Sequence, residues 1–269
     1  MTFSDHYFDI DRLDRLSRKE TFVHRLDPRV KTIATMLFLI TVISFPKYEV
    51  AALVPFFLFP VLMLTLGDIP AGFIAGKILL VSPFAILIGL FNPFLDTRIV
   101  AVVAGLPVSA GILSFLSILL KFVLTISAAL LLIATTSFPG VCHALRQLGF
   151  PAIFVSQLLL LYRYLFVLLE EAMRIVRARD MRSSGARGAG VRVFVRLVGV
   201  LFLRAVDRAE RIYHAMLSRG FQGDLPTLRP SRVTAVDLAF LAATIAFLAG
   251  FRFSQVAEGI GRSAQELLR

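Results

Sequence analysis

The chain has 269 residues, of which 57% are hydrophobic and only 17% charged, with a mean hydropathy of +0.80 and a net charge of +11. A soluble domain carries about a quarter charged residues, so an ordinary soluble globular fold is excluded. The single cysteine, Cys142, excludes internal disulfides and a thiolate metal cluster within one chain.

Residues 1–29 are polar and read as a cytoplasmic N-terminal segment. They lack the short basic end, apolar stretch and small-residue cleavage site of a secretory signal, so the first span is expected to stay in the mature protein. Asp5, His6, Asp9, Asp11 and Asp14 could collect a cation there, but a solvated polar terminus is the preferred reading. The apolar blocks that follow are continuous in Leu, Ile, Val and Phe, unlike the alternating segments of a β-barrel. Val30–Phe45, Val50–Leu66, roughly Phe73–Leu95 and Gly111–Thr136 form an expected four-helix transmembrane region over 30–137. Lys31 is expected to snorkel at the end of its short span. A last block, Val236–Phe251, gives a final span over 236–252, with 253–269 as an external tail.

The stretch 138–235 is different, holding 15 arginines against 6 acidic residues. It contains two apolar-rich runs, Ile153–Leu169 and Val193–Val206. The first carries Gln157 and Arg163 and continues without a breaker through Glu170 and Glu171. The second is crossed by Arg192, Arg196, Arg204 and Arg208, whose spacing makes one stripe on a helix. An arginine in mid-span costs roughly 2.5–3.5 kcal/mol, so both runs read as long amphipathic helices along the membrane. One helix is expected from Pro151 to about Ser183 and a second up to Arg219-Gly220, joined by a flexible glycine-rich segment. The fold class is therefore all-α: about five transmembrane helices and a cytoplasmic module of long amphipathic helices. The positive-inside rule places the N-terminus and 138–235 in the cytoplasm.

Catalytic motifs are weak. Gly72-Phe73-Ile74-Ala75-Gly76-Lys77-Ile78 has too few residues between its glycines for a phosphate loop, and Ile78 stands where a Mg²⁺-ligating Ser or Thr belongs. Gly185–Gly190 reads as a hinge. The four histidines lack metal-ligand spacing, and no Gly-x-Ser-x-Gly or His-Glu-x-x-His occurs. Lys121 lies deep in a span; snorkelling or pairing between helices is preferred to a transport role. Asp237 reads as an interfacial cap. Two long helices each end in a short arginine-centred sequence, Ala178-Arg179-Asp180-Met181-Arg182-Ser183-Ser184-Gly185 and Met216-Leu217-Ser218-Arg219-Gly220-Phe221. Each arginine can serve the helix dipole or reach a partner's carboxylate, and Gly220 suits a left-handed cap.

At these residues the chain resembles the transmembrane T component of energy-coupling factor (ECF) transporters, in its cobalt/nickel CbiQ-like subgroup. The resemblance rests on His24-Arg25-Leu26-Asp27-Pro28-Arg29-Val30-Lys31, on Glu170-Glu171-Ala172-Met173-Arg174, and on Phe202–Arg211 running into Met216–Phe221. It implies a non-catalytic scaffold with no cofactor in this chain, ATP and Mg²⁺ being held by two cytoplasmic ATP-binding subunits. The chain would link these to a membrane substrate-capture subunit in a prokaryotic cell membrane, for cobalt or nickel uptake, with no nucleic acid involved. ATPase docking falls to Ser218, Arg219 and Gly220 and, with more departure from the family pattern, to Arg182 and Ser183, or alternatively to Arg179. Glu170, Glu171, Arg204, Asp207 and Arg208 are implied to support coupling. The alternative class is a self-contained secondary carrier or channel using Lys121.

Overall fold

The computed structural model describes residues 16–17, 19–95, 99–103, 106–182, 190–225 and 233–253. The acidic cluster of residues 5–14, Ser183, the hinge residues 184–189 and the tail from 254 lie outside the described residues. The architecture is the expected all-α, multi-pass one, with one short hairpin added. The chain divides into two compact units: residues 1–141 with 231–269, and residues 142–230.

The first unit begins with α1 (Phe22–Arg25) and α2 (Pro28–Ile43). The second apolar block is a 3₁₀ segment, Ala51–Phe57, that passes into α3 (Leu58–Leu66). Pro55 and Pro60 have no N–H to donate, which prevents a continuous α-helix there. The 3₁₀ rise of about 2 Å per residue stretches this short block toward the thickness of a bilayer. The third block ends earlier than the sequence predicts. It gives α4 (Ala71–Gly89), a turn, and the single-turn α5 (Asn92–Leu95). The stretch between the third and fourth apolar blocks holds an antiparallel hairpin of β1 (Ile99–Val103) and β2 (Leu106–Ser109), with Ile99 opposite Ser109. Its β-branched residues carry no alternation, so periodicity alone does not separate it from neighbouring helix. Then come α6 (Ala110–Thr135), α7 (Phe138–Gln147, across which the division falls) and, after the second unit, α10 (Ala235–Phe253).

By length and composition four helices can cross a membrane: α4, α6, α10 and Ala152–Arg182 of the second unit. The expected five spans differ from this set in two ways. The first two blocks form shorter helical stretches, and the helix over Ile153–Leu169 meets the length and hydropathy requirement that the sequence reading withheld because of Arg163.

The core of the first unit is aromatic. Phe38 stacks on Phe59 at 4.5 Å between centroids, and Phe56 meets Phe45 edge-on at 5.2 Å. The buried face of α6 repeats at helical spacing and is made largely of small residues, including Ala110, Ser114, Ser117, Ser127 and Ala134. Small side chains let helices approach closely where lipid supplies no hydrophobic drive, and α2, α3 and α4 all pack on α6. Large apolar side chains such as Leu79, Phe84 and Ile88 of α4 point outward, as a lipid-facing surface requires.

Helix ends in this unit are tied by two lysines. Lys31, near the start of α2, is 1% exposed and donates its ammonium to the Thr135 carbonyl at the end of α6, at 2.7 Å. Lys121 of α6 donates at 2.5 Å to the carbonyl of Phe45, just past the end of α2. Each antiparallel neighbour thus caps the negative C-terminal end of the other. Lys31 therefore does not snorkel: the Thr135 carbonyl and the carboxylates of Asp27 and Asp237, which attract it electrostatically, hold it inside the bundle. Lys121 is engaged between helices, as the preferred reading had it.

The carboxylates have their own backbone partners. Asp27 caps α2 by accepting from the Arg29 N–H, with Pro28 in the first helical position. Its own N–H donates to Asp237 at 2.7 Å. Asp237 also accepts from the N–H and hydroxyl of Thr234, which ties down the start of α10. His24 lies outside the spans; its Nδ1 accepts from the Thr21 hydroxyl, and its Nε2 meets the carbonyls of Leu16 and Ala134. Burial holds its pKa below the usual range, consistent with a neutral ring.

Replacing Lys31 by Met leaves a helix-end carbonyl without its donor and removes a buried cation that attracts Asp27 and Asp237, at an expected cost of about 3 kcal/mol. Lys121→Met removes a less buried cap and is expected to cost about 1 kcal/mol. Thermal unfolding of the detergent-solubilised chain checks the order of the two.

Candidate functional site

The second unit is dominated by α8 (Ala152–Arg182, 31 residues) and α9 (Val191–Leu217, 27 residues). At 1.5 Å per residue they are roughly 46 and 40 Å long. The helix start after Pro151 and the end at Gly220 fall where the sequence predicts them. Arg204 of α9 pairs with Glu171 of α8, and Arg174 adds a second contact to that carboxylate at 3.6 Å. Further along, Met216 and Arg219 share a hollow with Leu160 and Arg163. The two helices therefore run antiparallel, pinned near the middle by the Glu171–Arg204 pair.

The C-terminal end of α9 is built in detail. Gly220 takes φ +78°, a left-handed conformation open to glycine without strain. The N–H of Phe221 returns to the Met216 carbonyl and that of Gly220 to Leu217, which together make a Schellman turn. The same pair of bonds, Phe150 to Leu145 and Gly149 to Arg146, ends α7 with Gly149 at φ +99°. After the turn the chain is tied back to its own unit. Ser156 of α8 donates its hydroxyl to the Gly223 carbonyl at 3.0 Å, and Arg146 pairs with Asp224 at 2.9 Å. This pairing holds the Asp224 carboxyl below its usual pKa range. Ser218, Arg219 and Gly220 are thus exposed on a turn braced on both sides. The Ser218 hydroxyl caps inward to the His214 carbonyl, which leaves the arginine as the outward group.

The first motif lies at the end of α8. Arg182 is exposed and Met181 is 83% exposed, so this end projects from the unit; Ser183 is outside the described residues. Arg179 is half-buried and pairs with Asp180 at 2.7 Å. Of the two arginines the motif offers, Arg182 is the more accessible. Arg163 and Arg182 sit nineteen positions apart on α8, or roughly 28 Å. Because Arg219 lies beside Arg163, the two motif arginines stand at opposite ends of the helix pair.

Asp207 and Arg208 line a small polar hollow with Glu171, Arg204 and Arg211. Glu170 is exposed on α8 away from that set. Arg192, Arg196, Arg204 and Arg208 are all exposed, as one stripe should be. Between α8 and α9 runs an apolar groove of about 820 Å³, lined by Ile153, Leu161, Leu165, Ala205, Ile212 and Phe221 among others. Sequence reading placed apolar faces on these helices but not this groove, which requires their antiparallel pairing. It also missed the position of Arg163, used only as a mark against a membrane span. Among the described residues no three His, Cys, Asp or Glu side chains are grouped to hold a metal ion.

A family profile described as cobalt transport protein CbiQ matches residues 19–230. The chain is 25% identical over 242 residues to an uncharacterised protein of Methanocaldococcus jannaschii, covering 86% of this chain and 82% of the relative. With the energy-coupling factor transporter transmembrane protein EcfT of Bacillus subtilis it shares 29% identity over 218 residues, 76% of this chain and 82% of the other. With the cobalt transport protein CbiQ of Salmonella typhimurium it shares 30% over 116 residues, 43% of this chain and 52% of the other.

Two outcomes follow from this geometry. Gly220→Val forces a β-branched residue into left-handed backbone and is expected to cost 1–2 kcal/mol, about the figure for that conformation, with increased hydrogen exchange over 216–221. Cys142 is buried and its pKa is pushed up to about 11, so the thiol stays protonated at neutral pH. The native chain is therefore expected to resist water-soluble maleimide and to label only on unfolding, which mass spectrometry reads directly.

Proposed function

Because the chain belongs to the cobalt transport protein (CbiQ) family, we propose that it is the energy-coupling transmembrane subunit of an ECF-type transporter. It passes ATP-driven movement of two cytoplasmic ATP-binding subunits to a membrane substrate-capture subunit that takes up cobalt or nickel ions. Relatives named as ECF transmembrane proteins cover most of this chain and support the transporter reading. Nucleotide chemistry is assigned to the partners, and this chain acts mechanically in a prokaryotic cell membrane, with its N-terminus in the cytoplasm.

The observation that carries the reading is the pair α8 and α9, with Arg182 and Arg219 exposed at its opposite ends. A separation of roughly 28 Å suits two docking points on two different ATP-binding subunits. An antiparallel pair held by the Glu171–Arg204 bridge moves as one lever, so a displacement at either arginine reaches the apolar groove between the helices. That groove is the surface we assign to the substrate-capture subunit. Lys121, which a carrier mechanism would use, is occupied as a helix cap.

Charge reversal at both docking points, Arg182→Glu with Arg219→Glu, is expected to reduce co-purification of the ATP-binding subunits at least about tenfold and to abolish metal uptake, since like charges meet at each interface. Intact co-purification together with intact uptake would remove the proposed docking role.

A further inference from the structure

The hollow that holds Arg219 holds a second guanidinium, and its surroundings say what should enter it. It measures about 460 Å³ and is lined by Leu159, Leu160, Tyr164, Ile212, Ala215, Met216 and Leu225 besides Arg163 and Arg219. None of these lining residues is acidic. Arg163 is further steadied over the ring of Tyr164, at 5.9 Å to the centroid. Elsewhere in this unit Arg146, Arg174, Arg179 and Arg204 each have a carboxylate partner. Among the described residues Arg163 and Arg219 have none, in common with Arg182, Arg192, Arg196, Arg208 and Arg211; what sets these two apart is the hollow they share.

Two exposed guanidiniums lining one hollow with otherwise apolar walls repel each other until an anion joins them, and a docked partner strengthens that attraction by excluding water. We infer that Arg163 and Arg219 together form a two-arginine clamp for a single carboxylate presented by an ATP-binding subunit. Arg219 is held by its turn and Arg163 by the rigid helix α8, so the clamp joins both long helices to one point on the partner. Its action also requires that Arg163 face water rather than lipid, so the N-terminal half of α8 does not cross the hydrocarbon at that level, despite its hydropathy. This rests on the coupling function proposed above.

The test uses the whole transporter, co-expressed and purified in detergent, with retention of the ATP-binding subunits measured for Arg163→Gln, Arg219→Gln and the double variant across a salt series. A shared carboxylate predicts a loss of roughly tenfold for each single variant. It also predicts a double variant no worse than the weaker single, and a shallower salt dependence in all three. Wild-type retention in Arg163→Gln alongside a loss in Arg219→Gln would overturn the clamp while leaving the docking reading standing. Losses that multiply would show two independent contacts and also overturn it. No loss in any variant would overturn the clamp and remove Arg219 as a docking point, while the Arg182→Glu, Arg219→Glu double reversal still decides the docking reading. A loss that disappears on adding anionic phospholipid to the detergent would assign the hollow to a lipid headgroup instead. Should Arg163→Gln fail to fold, Arg163→Lys decides: it keeps the charge but not the bidentate fork. A partial loss supports the clamp, and full retention overturns it.

Discussion

Two lysines inside apolar helices set the frame of the membrane unit. An ammonium in a helix bundle is stable only where it finds acceptors that water no longer supplies. Lys31 and Lys121 find them at the C-terminal ends of each other's helices, where carbonyls are left over by the helix geometry itself. The two caps lie fourteen residues apart along both α2 and α6, roughly 21 Å of helix, so together they fix the antiparallel register of the pair. Around Lys31, Asp27 and Asp237 add the starts of α2 and α10 to the same knot. The family-like sequence from His24 to Lys31 is thus a structural joint among three helix ends.

The second unit solves a different problem. Its long helices bury few residues completely, so their pairing leans on a few specific contacts. The Glu171–Arg204 bridge holds the middle, and the Schellman turn at Gly220, the Ser156–Gly223 bond and the Arg146–Asp224 pair hold one end. Sparse internal packing leaves large apolar and basic surfaces exposed, which suits the lever role proposed above.

Much of the candidate site was legible in the residues. The arginine-centred helix ends, the cap at Gly220 and the single stripe of Arg192, Arg196, Arg204 and Arg208 follow from spacing and backbone chemistry. The partner of each charge was not. Nothing in the order of residues pairs Glu171 with Arg204, or brings Arg163 beside Arg219, because those meetings arise only when α9 folds back along α8. Lys31 was misread for the same reason. Snorkelling is the expected behaviour of a lysine at the end of an isolated helix, and only the neighbouring helix end makes burial favourable.

Composition and apolar periodicity by themselves determined an all-α membrane protein, the approximate location of its long helices and the basic character of the stretch between its fourth and last apolar blocks. These depend on how each segment interacts with lipid and water, a property carried locally by its side chains. Tertiary structure decided which carbonyl each buried lysine caps, which arginines are neutralised and which are left exposed, and where an apolar groove opens between two helices. Those outcomes depend on distances between residues far apart in the chain, and electrostatic and hydrogen-bond energies are set by such distances rather than by residue identity.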